Sequence, residues 1–352
     1  MDKIEMGKGV LIPTYRCNQR CKCCYAMADI LTADGEMSLE EAKKAIDFFD
    51  MLGIKTYTLL GGEPLIYKDI NEVIRYAMGK NITSWVVTNG MMLADNGFGE
   101  ELVKSGVIGG CISLFSLEKD AHESVTNIPG SYNKVISALT NTINYNWPFY
   151  PMLTLLKNNI DNIINDSVYL AKMGFKKIYI NYGIPNVVSE YDRNLDSDPI
   201  VLAKLTEKLF EFQKKIGVKF IFNCEKNKIP LCFFDDNKFE TMKSEKQIGT
   251  GCEFIKGNTI VIEPGGNVLG CSHWVKHPLM NIYKNYNALE TISEKEFWDV
   301  WMNGFPSEVR KSYASYPFNS CVDCKKRVLK ECYGGCKAWH NSGALENKIK
   351  IY

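Results

Sequence analysis

The run Cys17-Asn-Gln-Arg-Cys21-Lys-Cys-Cys24 carries three thiols at the spacing C-x3-C-x2-C. Three thiolates on one short loop can hold three irons of a [4Fe–4S] cube and leave the fourth iron open to a chelating ligand. The same sulfurs could instead hold zinc, completed by Cys23 or by a distant residue. A second group, Cys252, Cys271, Cys321, Cys324, Cys332 and Cys336, crowds the last third of a chain that has thirteen cysteines in 352 residues. Buried structural cysteines would not bunch at C-x2-C spacing, so the clustering favours metal ligands over packed thiols. Disulfides are not expected. The first ten residues, MDKIEMGKGV, lack the apolar core of a signal peptide. The chain is therefore expected to stay in the cytoplasm, which keeps thiols reduced.

Charge and hydropathy bound the other classes. The net charge is +1 and the sequence isoelectric point about 7.4. This is not the basic footprint of a nucleic-acid binder, and no nucleic-acid partner is expected. No run of 18 apolar residues occurs, so no membrane span is expected. With 45% hydrophobic residues the chain can bury a large core, enough for one barrel-sized domain and a smaller one.

The elements that must position the first cysteines alternate strand and helix. Val10–Thr14, Thr56–Leu60, Ile82–Thr88, Ile108–Phe115, Pro151–Leu156 and Lys177–Tyr182 read as strands, with Val218–Phe222 as a seventh extended segment. Ser38-Leu-Glu-Glu41 is a capping box that starts a helix running to about Leu52, with Gly53 as its stop. A further helical stretch covers about Ile160 to Lys172. This alternation predicts an α/β fold of parallel strands with right-handed crossovers, a partial (β/α)6 TIM-like barrel. In such barrels chemistry sits at the C-terminal strand ends. The cysteine loop, Gly61-Gly62-Glu63-Pro64, Thr88-Asn89-Gly90 and Ser113 all fall there. After Cys224 short segments dominate, with a hairpin signal at Glu263-Pro-Gly-Gly-Asn267. The expected division is a barrel over 1–224 and a cysteine-rich iron–sulfur domain over 225–352, too poor in periodic elements to fold without metal cross-links.

The ordered set of C-x3-C-x2-C, GGEP and TNG, from Val10 to about Phe222, resembles the radical S-adenosylmethionine superfamily. The resemblance implies that Cys17, Cys21 and Cys24 ligate a [4Fe–4S] cluster and that S-adenosylmethionine chelates its open iron. Gly61 and Gly62 would let backbone carbonyls approach the amino group, with Glu63 as the carboxylate near it and Pro64 closing the motif. Asn89 and Ser113 are candidates for the ribose or carboxylate, and Ile180-Asn181-Tyr182 for packing on adenine. The implied chemistry is reductive cleavage to methionine and a 5′-deoxyadenosyl radical, which takes a hydrogen atom from an unactivated C–H bond. A flavodoxin- or ferredoxin-type reductant would supply the electron. The residue before the third cysteine is usually aromatic in this family. Here it is Cys23, read as a packed thiol, and Tyr25 takes over the packing.

The C-terminal cysteines resemble the SPASM extension, which binds auxiliary [4Fe–4S] clusters and occurs in many peptide-modifying members. Two departures stand out. Seven residues separate Cys324 from Cys332 where five is usual, and no cysteine follows Cys336. One or two auxiliary clusters are therefore expected. By analogy Cys252, Cys271 and Cys336 would serve an inner cluster, with Cys232 as candidate fourth ligand. Cys321, Cys324 and Cys332 would serve an outer one, with His340 or Asp323 as possible fourth. Two structural zinc sites are the alternative.

The resemblance points to maturation of a ribosomally made precursor peptide by thioether or carbon–carbon cross-linking, or by epimerisation. Only about ten residues precede the first strand, so a separate peptide-recognition protein or the barrel mouth would hold any leader. Ser272 follows Cys271 where sulfatase-maturing members carry an Asp, which argues against that activity. Oxidation of a small molecule is the alternative, and an iron–sulfur electron carrier the non-enzymatic one. An epimerase also needs a hydrogen donor. Cys224, just past Val218–Phe222 and so near the open end of the barrel, is the candidate catalytic thiol, with a packed or loop thiol of no role as its alternative.

Overall fold

The computed structural model of the protein describes residues 5–26, 35–184, 193–222, 228–275, 277–315, 318 and 321–337. Seven strands follow one another in parallel: β1 (Lys8–Leu11), β2 (Thr56–Leu59), β3 (Thr83–Thr88), β4 (Val107–Leu114), β5 (Phe149–Leu155), β6 (Lys177–Tyr182) and β7 (Lys219–Phe222). Helices connect them: α1 (Leu39–Met51), α2 (Ile70–Gly79), α3 (Asn96–Lys104), α4 (Lys119–Thr126), α5 (Ser131–Asn144), α6 (Ile163–Met173) and α7 (Pro199–Ile216). This is the expected α/β partial barrel. Helix α1 starts at its capping box, with Ser38 Oγ accepting from Glu41 N at 3.2 Å and Glu41 Oε2 from Ser38 N at 2.8 Å. Its buried face, Ala42, Ala45, Ile46 and Phe49, packs onto the sheet, and Phe49 lies so close to β1 that a Cβ on Gly9 would meet it at 2.7 Å.

Register sorts the side chains of the concave face into layers, because partners in a parallel ladder share a face. Trp85, Tyr150 and Tyr179 form the lowest layer, with ring centroids 5.8 to 6.2 Å apart. They meet across Gly109, where a Cβ would strike Trp85 at 2.8 Å. Above Trp85, Val87 lies opposite Cys111 and Cys111 opposite Tyr150. Ser113 lies opposite Met152, and Thr154 opposite Asn181, toward the C-terminal strand ends. Aromatic rings thus close the bottom, and polar groups line the top.

The expected boundary near residue 224 falls between two strands of one sheet. Strand β8 (Thr259–Glu263) pairs in parallel with β1 on the edge away from β2, with Gly9 opposite Ile260 and Leu11 opposite Ile262. Strand β9 (Asn267–Leu269) returns antiparallel to β8, and β10 (Met280–Asn281) extends the sheet to ten strands. The expected hairpin at Glu263–Asn267 therefore forms, but inside the main sheet. The later helices are α8 (Asp236–Ser244), α9 (Glu253–Lys256), α10 (Glu294–Asn303) and α11 (Phe305–Ala314). Phe239, Met242, Phe254, Phe297 and Trp301 from this part join the same core as the barrel residues. Residues 228–315 are thus richer in regular, core-forming structure than their composition suggests, since short strands and ten-residue helices bury well once the β1 edge receives them. Among the described residues no helix is long and apolar enough to cross a membrane.

Candidate functional site

The cysteine loop leaves β1 at Pro13, and the ends of β2 and β3 hold it by backbone contacts. Gly62 N donates to Thr14 O at 3.0 Å and Glu63 N to Arg16 O at 2.8 Å. The two glycines are needed for this approach. A Cβ on Gly61, whose φ is +141°, would meet Thr14 O at 2.4 Å, and one on Gly62 would meet Arg16 O at 2.2 Å. The Gly61 carbonyl accepts from Tyr25 Oη at 3.0 Å, which returns the far end of the loop to β2. Glu63 is 1% exposed, and its carboxylate accepts from Leu65 N at 3.0 Å, Thr88 Oγ1 at 2.6 Å and Asn89 N at 2.7 Å. It cross-links the ends of β2 and β3. Burial pushes its pKa up to about 7, against these three hydrogen bonds, which favour the charged form. Asn89 donates from Nδ2 to Asn18 Oδ1 at 2.6 Å and approaches Cys17 Sγ at 3.9 Å.

The thiols themselves are close and desolvated. Burial, then the Glu63 carboxylate and Cys24, push the Cys17 thiol up to about 12. Burial, then Cys23, Cys24 and Cys17, raise Cys21 well above its ordinary value. Backbone amides of Gln19 and Ala26 point at Cys17 Sγ and Cys24 Sγ, each at 3.4 Å. Such N–H···S contacts stabilise thiolates on a cluster, and metal ions invert the logic that otherwise keeps crowded buried thiols protonated. Cys23 packs with Cys21 against Phe115, Val125, Leu156 and Leu195, the place of a small apolar side chain.

The later cysteines fall into two groups. Cys271, Cys336 and Cys252, in that order, follow burial in raising the Tyr313 hydroxyl, so all three act on one group. Phe254 and Trp274 pack at 4.8 Å, and Trp274 and Tyr313 at 5.1 Å, walling this group with aromatic side chains. Cys271 also reaches the N-terminal loop. Burial is the first cause raising the Tyr25 hydroxyl, and Cys24, Cys271 and Cys17 are the charges that add to it. The second group is Cys321, Cys324 and Cys332, with Gly334 N donating to Cys332 Sγ at 3.3 Å. The analogy puts Cys232 with the first of these groups. After burial, the thiols acting on it are those of Cys332, Cys321 and Cys324, which push it up to about 12. Asp323 is exposed, and His340 and Cys224 lie outside the described residues. Among the described residues no three His, Cys, Asp or Glu side chains converge on the position of a single metal ion. The thiols of a four-iron cube each meet a different iron and stand further apart than ligands of one ion.

Residues 11–167, which hold the cysteine loop and the ends of β2 to β5, match the family model described as the radical SAM superfamily. Over these residues the chain is similar to radical SAM domains. Its likeness to the AdoMet-dependent heme synthase of Methanosarcina barkeri is 23% identity over 60% of this chain and 60% of that protein, so it spans less than two thirds of that relative. The Bacillus subtilis protein AlbA of subtilosin biosynthesis is 26% identical over 96% of this chain and 72% of its own length. In fold the chain is similar to Streptococcus suis SuiB bound to S-adenosylmethionine, with a TM-score of 0.71 at 18% identity over 95% of this chain and 73% of that one.

Several expected residues have surroundings in the fold that differ from the expectation. Pro64 is buried at the first position of a short turn, Pro64–Ile66, and Tyr182 turns to the helix side, its hydroxyl 2.8 Å from Thr206 Oγ1. Of Ile180-Asn181-Tyr182 only Asn181 shares the concave face. Asn181 Nδ2 donates to Thr154 Oγ1 at 3.3 Å, and its Oδ1 accepts from Lys228 Nζ at 2.9 Å. Ser113 lies on the same face, two strands away, half-buried. Sequence reading gave no role to Asn18, Thr88, Thr154 or Lys228. Thr88 stood in the Thr88-Asn89-Gly90 motif, and its hydrogen bond to Glu63 gives it one. Lys228 could not have been found, because it reaches Asn181 only through the tertiary fold.

Proposed function

We propose that this protein is a radical S-adenosylmethionine enzyme that modifies a ribosomally synthesised precursor peptide, by cross-linking or by epimerisation. The observation that carries the chemistry is the convergence of three buried thiols with Gly61, Gly62 and Asn89 at the top of a parallel barrel. Cys17, Cys21 and Cys24 would hold a [4Fe–4S] cluster, and the donor set fits it: three thiols, N–H···S hydrogen bonds and a loop clamped by two glycines. When bound, the cluster supplies an electron to S-adenosylmethionine, whose cleavage yields a radical able to take hydrogen from carbon.

The chain's own residues do the positioning. Glu63 fixes the ends of β2 and β3, and through them the glycines that carry the loop. Its three internal donors and burial make it a brace rather than a partner for the ammonium group. Asn89, Ser113 and Asn181 present polar groups to the open end and would take the sugar and amino-acid parts of the ligand. The aromatic layer of Trp85, Tyr150 and Tyr179 closes the other end against water.

A peptide substrate is supported by the likeness to AlbA along nearly the whole chain, including the C-terminal cysteines. The likeness to the heme synthase, confined to 60% of the chain, keeps a small molecule as the second reading. Anaerobically reconstituted protein with a strong reductant should convert S-adenosylmethionine to 5′-deoxyadenosine and methionine, and the Cys17→Ala, Cys21→Ala, Cys24→Ala protein should form none. Co-expression with a small peptide encoded beside the gene should then change the peptide's mass by loss of two hydrogens for a cross-link. For an epimer, one deuterium per site should appear in heavy water, provided the hydrogen donor exchanges with solvent. Full cleavage by the triple variant refutes the chemistry; an unaltered peptide with intact cleavage refutes the substrate.

A further inference from the structure

The turn that carries Cys232 is tied to the last cysteine segment on both of its sides. Upstream, Cys336 N donates to Lys228 O at 2.8 Å. Gly335, at φ +83°, lies so close that a Cβ there would meet Pro230 Cδ at 2.8 Å and Lys228 O at 2.9 Å. Downstream, α8 is ion-paired to the 326–331 segment, with Lys326 to Glu240 and to Asp236, and Lys243 to Glu331. Between these ties, Ile229, Leu231 and Phe234 are buried and anchor the turn Leu231–Phe233. Ile229 and Leu231 line one small cavity together with Cys332 and Gly335. Cys232, flanked by these anchors, keeps part of its surface exposed. A partly exposed thiol on a turn tied to the 326–336 segment is a poor packing choice and a good ligand.

We propose that Cys232 is the fourth thiolate of the outer group, so that Cys232, Cys321, Cys324 and Cys332 together hold one closed iron–sulfur cluster. The inference rests on reading the C-terminal cysteines as iron–sulfur ligands. It departs from the analogy, which places Cys232 with Cys252, Cys271 and Cys336 and seeks the outer ligand at Asp323 or His340. A ligand from this turn would complete the outer group with a thiol distant from it in sequence. The order in which the neighbouring thiols act on Cys232, with Cys332 first, agrees with the same grouping. The outer cluster then joins the segment before β8 to the segment after α11, and forms only once the two have docked.

The test uses the full chain carrying Cys17→Ala, Cys21→Ala and Cys24→Ala, reconstituted anaerobically with iron and sulfide, so that only auxiliary sites are counted. This parent should hold about eight irons and about eight sulfides per chain if both groups carry cubes. Adding Cys232→Ala or Cys232→Ser should lower both toward about four and remove or alter one of the reduced-cluster paramagnetic signals. In a Cys321→Ala background, Cys232→Ala should change nothing further; in a Cys252→Ala background, it should remove a second set. Unchanged iron, sulfide and signals in both Cys232 variants overturn the assignment, as does a loss that is additive with Cys321→Ala and absent with Cys252→Ala. Zinc in place of iron and sulfide in the parent overturns instead the reading on which the inference rests. Circular dichroism of the serine variant, which preserves side-chain size, should match the parent and so separates ligand loss from misfolding.

Discussion

Cys17, Cys21 and Cys24 lie on one short loop, whereas Cys232, Cys252, Cys271, Cys321, Cys324, Cys332 and Cys336 come from separate segments of the second half of the chain. The first group is held by its neighbours along the barrel top: backbone contacts to Gly61, Gly62 and Glu63, and a hydrogen bond from Tyr25. The second depends on the docking of β8 against β1, of α8 against 326–331, and of an aromatic wall around Tyr313. Both present crowded, desolvated thiols. The difference is that local spacing builds one site before any metal arrives, while long-range packing must assemble the other.

Removing the second half is the most severe way to break that comparison. A chain ending at residue 224 loses β8, exposes the β1 edge, and takes Phe239, Phe297 and Trp301 out of the shared core. It should be insoluble or unfolded, because an open edge of this kind invites aggregation. A soluble fragment with a cooperative melt would show that the barrel stands alone and that the two regions are separable.

Gly62→Ala attacks the first site without touching a ligand. The new methyl would meet two backbone carbonyls, Arg16 O at 2.2 Å and Tyr15 O at 2.4 Å, neither of which can swing aside. The loop must move, at a cost of about 3 kcal/mol. Cleavage of S-adenosylmethionine should fall at least about a hundredfold, while auxiliary iron is retained. Near-normal cleavage by this variant would contradict the proposed clamp.

The third effect is one of pH. Glu63 has its pKa raised to about 7 in the folded chain from an ordinary 4.5. Between these values the folded state binds more protons than the unfolded one, so the Glu63 contribution to stability is lost as pH rises through this window. The loss approaches about 3 kcal/mol above pH 7. Urea midpoints of metal-free wild-type protein and Glu63→Gln at pH 5 and pH 8 should show a steeper decline for wild type. Parallel declines would mean that the three hydrogen bonds outweigh burial and keep the carboxylate ionised throughout.

Cys23→Ala should do least. The side chain packs beside Phe115 and Leu156, and its removal should cost about 1 kcal/mol of stability. Cleavage should stay within about twofold of wild type. Loss of cluster iron from this variant would place Cys23 among the ligands and blur the contrast between the two regions.

Hydrophobic alternation, the capping box at Ser38 and the C-x3-C-x2-C spacing determined the parallel α/β barrel and the order of its strands. They also determined that the first thiols, Gly61 to Glu63, Asn89 and Ser113 would meet at one end of it. These features are local: each is written within a few residues, and strand–helix alternation leaves the crossovers one handedness. Tertiary structure alone decided the rest. That β8 would join β1, so that β8 to β10 and the later helices extend the barrel's sheet and core, follows from a pairing between distant segments that no period records. That Gly61 and Gly62 make room for the loop backbone, and that Glu63 serves as a brace, depends on which atoms the fold brings within reach. The proposed grouping of Cys232 with Cys321, Cys324 and Cys332 is of the same kind. Spacing can pair cysteines a few residues apart, but only packing chooses among those that are far apart, because loop closure costs nearly the same for each of them.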